Sequence, residues 1–316
     1  MNQPIPMNNL NSIRVNRGPQ SLKKTFQDIC QSNKMKAIQL LNSKDISFAT
    51  LYPIIPQVES FNLQNALNSR MQVALRYCAN PQANFIPSLL QPVLKWILTT
   101  GLPEENLGDT YDEILDNSAS ELLIHYKDSS VLPLVVDLIF SRNRKGKYIH
   151  DLVWCAFKSN FIETLSFIAN YIRSENLADN QLAYQLLNFK PQLQPNDKEK
   201  QYHNFNAWLN KNLSFLYATG DSLQQTCKPK FWRVNLGAKY LCNEIKPDGT
   251  PINPLRDEQT NQLAEFHDLD AKQQKMLSKY SFQTFQKDQQ MWEDFMKAPI
   301  QKQLSIASKA EMGGLL

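Results

Sequence analysis

The chain has 316 residues, 42% of them hydrophobic and 20% charged, with a formal net charge of +4. That balance fits an ordinary globular protein too long for one usual core, so two units or one elongated helical array are expected. Its nine glycines form neither GxGxxG nor GxxxxGK[ST], which excludes the usual glycine-built phosphate cradles.

Residues 1–20 are polar, rich in Asn and Pro, and lack the apolar stretch of a signal peptide. They are expected to form a disordered basic arm. Arg14, Arg17, Lys23 and Lys24 precede the first acid, Asp28, and the remaining bases balance the 30 acids. A basic arm on a neutral body suits an acidic partner. A solvated tail has the same composition. Arg14 and Arg17 are its candidate nucleic-acid contacts.

Helical periodicity starts near Ser21, with Leu22, Phe26, Ile29 and Cys30 on one face, and short helices follow at about 35–43 and 47–57. From Ser60 the pattern reads as helix pairs. Segment 60–80 pairs with 84–100, where Gly101 sits at the position of a terminating glycine and Pro103 follows. Segment 108–127 pairs with 130–145, where Ser130 reads as N-cap, Pro133 lies in the first turn and Arg142, Arg144 and Lys145 lie in the last. Segment 147–158 pairs with 160–174, where Asn160 and Glu163 read as a capping box. A fourth pair is 177–189 with 199–217.

Three of these helices open alike: Asn84-Phe85-Ile86-Pro87, Ser130-Val131-Leu132-Pro133 and Asn160-Phe161-Ile162-Glu163. The recurrence over about 60–217 resembles the second helices of HEAT and armadillo-type repeats. That resemblance implies stacked helix pairs presenting an extended concave face. A compact bundle gives similar stripes.

The period changes near Gly220. Phe231 to Leu236 alternates at period two, Gly237-Ala238 reads as a turn, and Lys239–Asn243 as the returning strand of a small hairpin. Helices resume at about 256–268 and 271–297, the last with Tyr280, Phe285, Trp292 and Phe295 among its aromatic residues. The expected fold is therefore all-α: a helix-pair array over 21–217, a C-terminal module with a hairpin and long helices over 218–298, and a flexible tail over 299–316.

The chemistry-bearing residues are sparse. Glu121 and His125 lie four apart on one helix face, a surface pair rather than half a metal site. His267, with Glu265 and Asp268, reads as a helix-end cap. Cys227, Cys242 and His203 lack the close spacing of zinc ligands, so no metal or other cofactor is expected. The acids Glu104, Glu105, Asp109, Asp112, Glu113, Asp116 and Glu121 form a strip that is either solvated or turned to a basic partner. Arg142, Arg144, Lys145 and Lys147 straddle a helix turn and are candidate nucleic-acid contacts. Lys228, Lys230, Arg233 and Lys239 interleave with Phe231, Trp232 and Tyr240, with no acid between Asp221 and Glu244. That loop suits protein docking through Trp and Arg anchors, or stacking with phosphate contact, or else Trp232 simply pins the hairpin to the helices.

Five cysteines without a CxxC point to free thiols and a reducing compartment, the cytoplasm by default. The longest apolar runs, such as Val131–Val136, fall far short of a membrane span. The leading expectation is a non-enzymatic intracellular scaffold binding another protein. The alternatives are a nucleic-acid-associated protein using the arm and both basic clusters, and an enzyme with His150 or His203 beside a carboxylate.

Overall fold

The computed structural model describes residues 9–101, 107–189 and 197–312. Among them the chain is all-α apart from one two-stranded sheet. It divides into two compact units, one up to Ser159 and one from Asn160 onward. The division falls inside the 21–217 stretch that the periodicity joins as one domain.

The first unit begins with α1, Leu10–Ser32, so the arm expected to be disordered is helical from Leu10. Leu10 and Ile13 are buried three positions apart, and burying such side chains contributes about 1.5–3 kcal/mol each. The tethers are polar, which is why composition misread them. Asn11 donates through Nδ2 to the Asp45 carbonyl and accepts from Ser47 N–H, while Arg14 Nε donates to Thr50 Oγ1 at 3.0 Å. Gly18 interrupts the helix at a φ of 80°, a conformation open to glycine, and Pro19 starts the second segment.

The helices α2 (Lys34–Leu41), α3 (Phe48–Leu51), α4 (Ile55–Ser60) and α5 (Ser69–Ala79) lead to α6, Pro87–Gly101. Gly101 is the last helical residue of α6 and is buried, not a left-handed stop beyond it. A Cβ there would meet Leu115 Cδ2 at 2.7 Å, and the Tyr111 hydroxyl donates to its carbonyl. Glycine is needed for close helix approach. The unit closes with α7 (Asp109–Ser120), α8 (Leu132–Arg144) and α9 (His150–Lys158). Asp128, rather than Ser130, caps the turn before α8 by accepting from Ser130 N–H. The partner of α8 is chiefly α9, whereas α7 packs on α6 and α9.

The second unit starts with α10 (Glu163–Ala169), which has no side-chain cap. Asn160, read as that cap, instead takes a φ of 61°, a helix-ending conformation. α11 (Leu177–Leu187) and α12 (Lys198–Asn212) follow, capped by Asn176 and Asp197. The expected hairpin is replaced by a different pairing. Strand β1 (Leu216–Ala218) runs antiparallel to β2 (Trp232–Val234), with Tyr217 opposite Arg233. The expected turn at Gly237-Ala238 and the first two residues of the expected returning strand, Lys239 and Tyr240, lie in helix α13, Leu236–Tyr240. Asn235 accepts from Ala238 N–H and so starts a helix where a turn was expected.

Helices α14 (Asp257–His267), α15 (Ala271–Lys287), α16 (Gln289–Lys297) and α17 (Ile300–Met312) complete the unit. Tyr240, Phe266, Leu277, Tyr280, Phe295 and Ala307 share one core. In the tail expected to be flexible over 299–316, Ile300–Met312 is thus a helix that buries Ala307 and Gln303, and residues 313–316 lie outside the described residues. Gln303 accepts from the Tyr240 hydroxyl and donates to the Ala298 carbonyl, binding α17 to α13.

Candidate functional site

Three elements of the second unit frame a groove of about 640 Å³. α12 supplies Asn204, Ala207, Trp208 and Lys211, whose offsets of three, four and seven put them on one helix face. α15 supplies Lys275, Lys279, Phe282, Gln283, Gln286 and Lys287, again one face. α13 adds Leu236 and Lys239. Five lysines and two aromatic rings therefore line the groove, and no lining residue is acidic. Among the described residues none of the five lysines is held in an ion pair.

The groove's inner wall is built around Lys239. Its Nζ donates to Asn212 Oδ1 at 2.6 Å and lies 5.1 Å from the centre of the Phe282 ring. Burial pushes this ammonium below the usual lysine range, and repulsion from Lys211 and Lys279 adds to the shift. Asn212 also donates to the Trp208 carbonyl at 2.6 Å, so one buried amide fixes both the helix end and the lysine. Phe282 is held edge-on by Phe215 at 5.1 Å. Trp208 rests against Phe205 at 5.6 Å and leaves 40% of its surface exposed. The result is an unbalanced positive field beside an accessible indole.

The predicted 228–240 site is split by the fold. Phe231, Trp232 and Tyr240 are buried at 4%, 9% and 1% exposure, so they are core anchors rather than docking residues. Tyr240 stacks on Phe266 at 4.6 Å. Lys228, Lys230 and Arg233 are exposed, and only Lys239 of the group enters the groove.

The cluster at 142–147 is corrected more sharply. Arg142 is 4% exposed, with Nη1 2.7 Å from Asp116 Oδ1 and Nη2 3.3 Å from Asp112 Oδ1. Lys147 Nζ lies 2.9 Å from Asp112 Oδ2. Arg142 and Lys147 are thus neutralised by Asp112 and Asp116 inside the first unit. Burial nevertheless pushes the Asp116 carboxyl up to about 6, with Arg142 opposing the rise. Arg144 and Lys145 are exposed, as is Arg17, while Arg14 is held by Thr50. Glu104 and Glu105 lie outside the described residues.

Glu121 and His125 meet at 3.9 Å on the surface. His203 Nε2 lies 3.2 Å from Glu199, also exposed, and the His150 ring lies tilted against Tyr148 at 4.8 Å. Among the described residues no group of three or more His, Cys, Asp or Glu side chains is placed to hold a metal ion. All five cysteines are free, and Cys242, with Ser281 at 3.9 Å, is pushed up to about 12 by burial. No described helix is long and apolar enough to cross a membrane.

No family model matches the chain, and neither a curated protein nor a solved structure matches it significantly.

The groove was missed because its walls lie far apart in sequence. Its signal was nonetheless present: α15 carries Lys275, Lys279 and Lys287 at steps of four and eight, with no acid between Asp270 and Asp288.

Proposed function

We propose that this protein is a non-catalytic nucleic-acid-binding protein that uses the α12–α13–α15 groove of its second unit. The observation that carries this reading is the set of five lysines lining one groove without a carboxylate. Like charges held together are costly unless an anion neutralises them, and a polyphosphate releases counterions when it does so. Asn204, Gln283 and Gln286 add neutral donors and acceptors beside the cations. The protein-docking expectation loses its anchors at Phe231, Trp232 and Tyr240, which are interior. It keeps one supporting observation in the first unit, where Tyr148 and Trp154 are exposed near His150. Free thiols fit a cytoplasmic setting for either reading.

Fluorescence anisotropy with labelled oligonucleotides tests the reading. Binding in about the micromolar range at low salt is expected, and it should be lost in a Lys211→Gln, Lys275→Gln, Lys279→Gln variant. Equal binding by that variant removes the groove from the function.

A further inference from the structure

We propose that the groove takes a single strand rather than a duplex, with a base stacked on Trp208 and the phosphates set against the lysines on either side. This rests on the nucleic-acid reading above and deepens it.

The lysines flank the rings. Lys211 stands on the Trp208 helix and Lys239 over Phe282, while Lys275, Lys279 and Lys287 follow one face of α15. From residue 275 to 287 that face runs about 18 Å at about 1.5 Å per residue. At about 3.4 Å per nucleotide of a stacked strand, it spans roughly five nucleotides. A basic groove tracking the backbone, with an aromatic platform inside it, is the arrangement that holds unpaired bases. In a duplex the base faces are already stacked, and an indole set between cations then has nothing to cover it.

Trp208 is suited to the role physically. Phe205 supports the ring, and Asn212 secures the carbonyl of the same residue, so its exposed area is rigidly presented at little further entropic cost. Phe282 is clamped between Phe215 and Lys239 and forms the floor. Neutral amides at Gln283 and Gln286 fit base edges without selecting one base.

The test titrates full-length protein with an oligothymidylate and an oligouridylate of about 12 nucleotides, a duplex of the same length, and polyglutamate. Both intrinsic tryptophan emission and anisotropy are read. Expected are emission quenching by the single strands, at least about tenfold weaker binding of the duplex, and at least about tenfold weaker single-strand binding by Trp208→Ala. Trp208→Phe should restore most of the affinity, and its melting temperature checks folding. The two single strands show whether DNA or RNA is preferred, and either preference supports the proposal. Equal binding of duplex and single strand, with no loss in Trp208→Ala, overturns single-strand stacking and leaves the nucleic-acid reading standing. Binding of polyglutamate with none of either nucleic acid overturns both.

Discussion

One cluster of cations in each unit is treated in the opposite way to the other. In the first, Arg142 and Lys147 reach Asp112 and Asp116 within 3.3 Å, and the charge is settled internally. In the second, Lys211, Lys239, Lys275, Lys279 and Lys287 surround a groove with no acid in its lining. A basic cluster in a sequence says nothing by itself about availability. What matters is whether a carboxylate arrives from another helix, and Asp116 reaches Arg142 across 26 residues of chain.

The largest effect that separates the two regions is on stability. Replacing Arg142 with Met leaves Asp116 and Asp112 without their buried partner, and breaking such a pair costs about 3–5 kcal/mol. The first unit should lose about that much in denaturant titration, and the Asp116 carboxyl should titrate still higher than about 6. Oligonucleotide affinity should not change. If Arg142→Met weakened nucleic-acid binding while the protein stayed folded, the division between settled and available cations would collapse.

A related effect is on pH dependence. The Asp116 carboxyl sits at about 6 in the folded protein against a usual 3.8. The folded state therefore keeps this proton where the unfolded chain has lost it. The contribution of Asp116 is fully present below pH about 4 and is lost as pH rises to about 6, amounting to about 2–3 kcal/mol at roughly 1.4 kcal/mol per unit. Stability of the natural protein minus that of Asp116→Asn, followed from pH about 4 to 7, should fall by that amount. A flat difference would mean that Arg142 compensates the carboxylate fully.

How much of this was legible in the sequence varies with the distance between interacting residues. The all-α class, the helices near 84–100, 130–145 and 177–189, and the Pro133 opening were readable because they rest on local periodicity. Helix α1 was read from Ser21 onward, but its first half was missed because its tethers are Asn11, Ser47 and Thr50, polar residues that look like those of a loop. The strand at Trp232 was found, but its partner was not. Three residues at 216–218 carry too little alternation to mark a strand, and Asn235 caps a helix that the hairpin reading excluded. Trp232 and Tyr240 are both covered by the fold, as a Trp232 that pins the strand to the helices requires, and the period-two alternation alone does not say which face of a strand is covered. The groove depends on α12 meeting α13 and α15, and no local pattern encodes that.

The salt response should distinguish the units next most strongly. Five lysines against a single strand give a log–log slope of about −3.5, a fall of about a hundredfold between roughly 50 and 200 mM salt. Lys275→Gln with Lys279→Gln should flatten the slope to about −2.1, a fall of about twentyfold over the same range. Arg144→Gln with Lys145→Gln, in the first unit, should leave the slope unchanged. A slope altered equally by both pairs would make the charge response a property of the whole surface rather than of the groove.

The smallest effect concerns Asn212, which lines the groove and also holds two of its other residues. Its Oδ1 holds the Lys239 ammonium and its Nδ2 holds the Trp208 carbonyl, each at 2.6 Å. Asn212→Ala removes both bonds from a site where Lys239 is already desolvated and pressed by Lys211 and Lys279. Freed from its acceptor, Lys239 should move toward solvent and away from the Phe282 ring, and the end of α12 should fray by about one hydrogen bond, roughly 1 kcal/mol. Single-strand affinity should drop by about fivefold, with the salt slope nearly intact because the charge count is unchanged. Asn212→Asp separates positioning from charge: it keeps an acceptor for Lys239 but adds the groove's first carboxylate. If the groove works through uncompensated cations, the aspartate should weaken binding more than the alanine does. If it works only by holding Lys239 in place, the aspartate should restore binding.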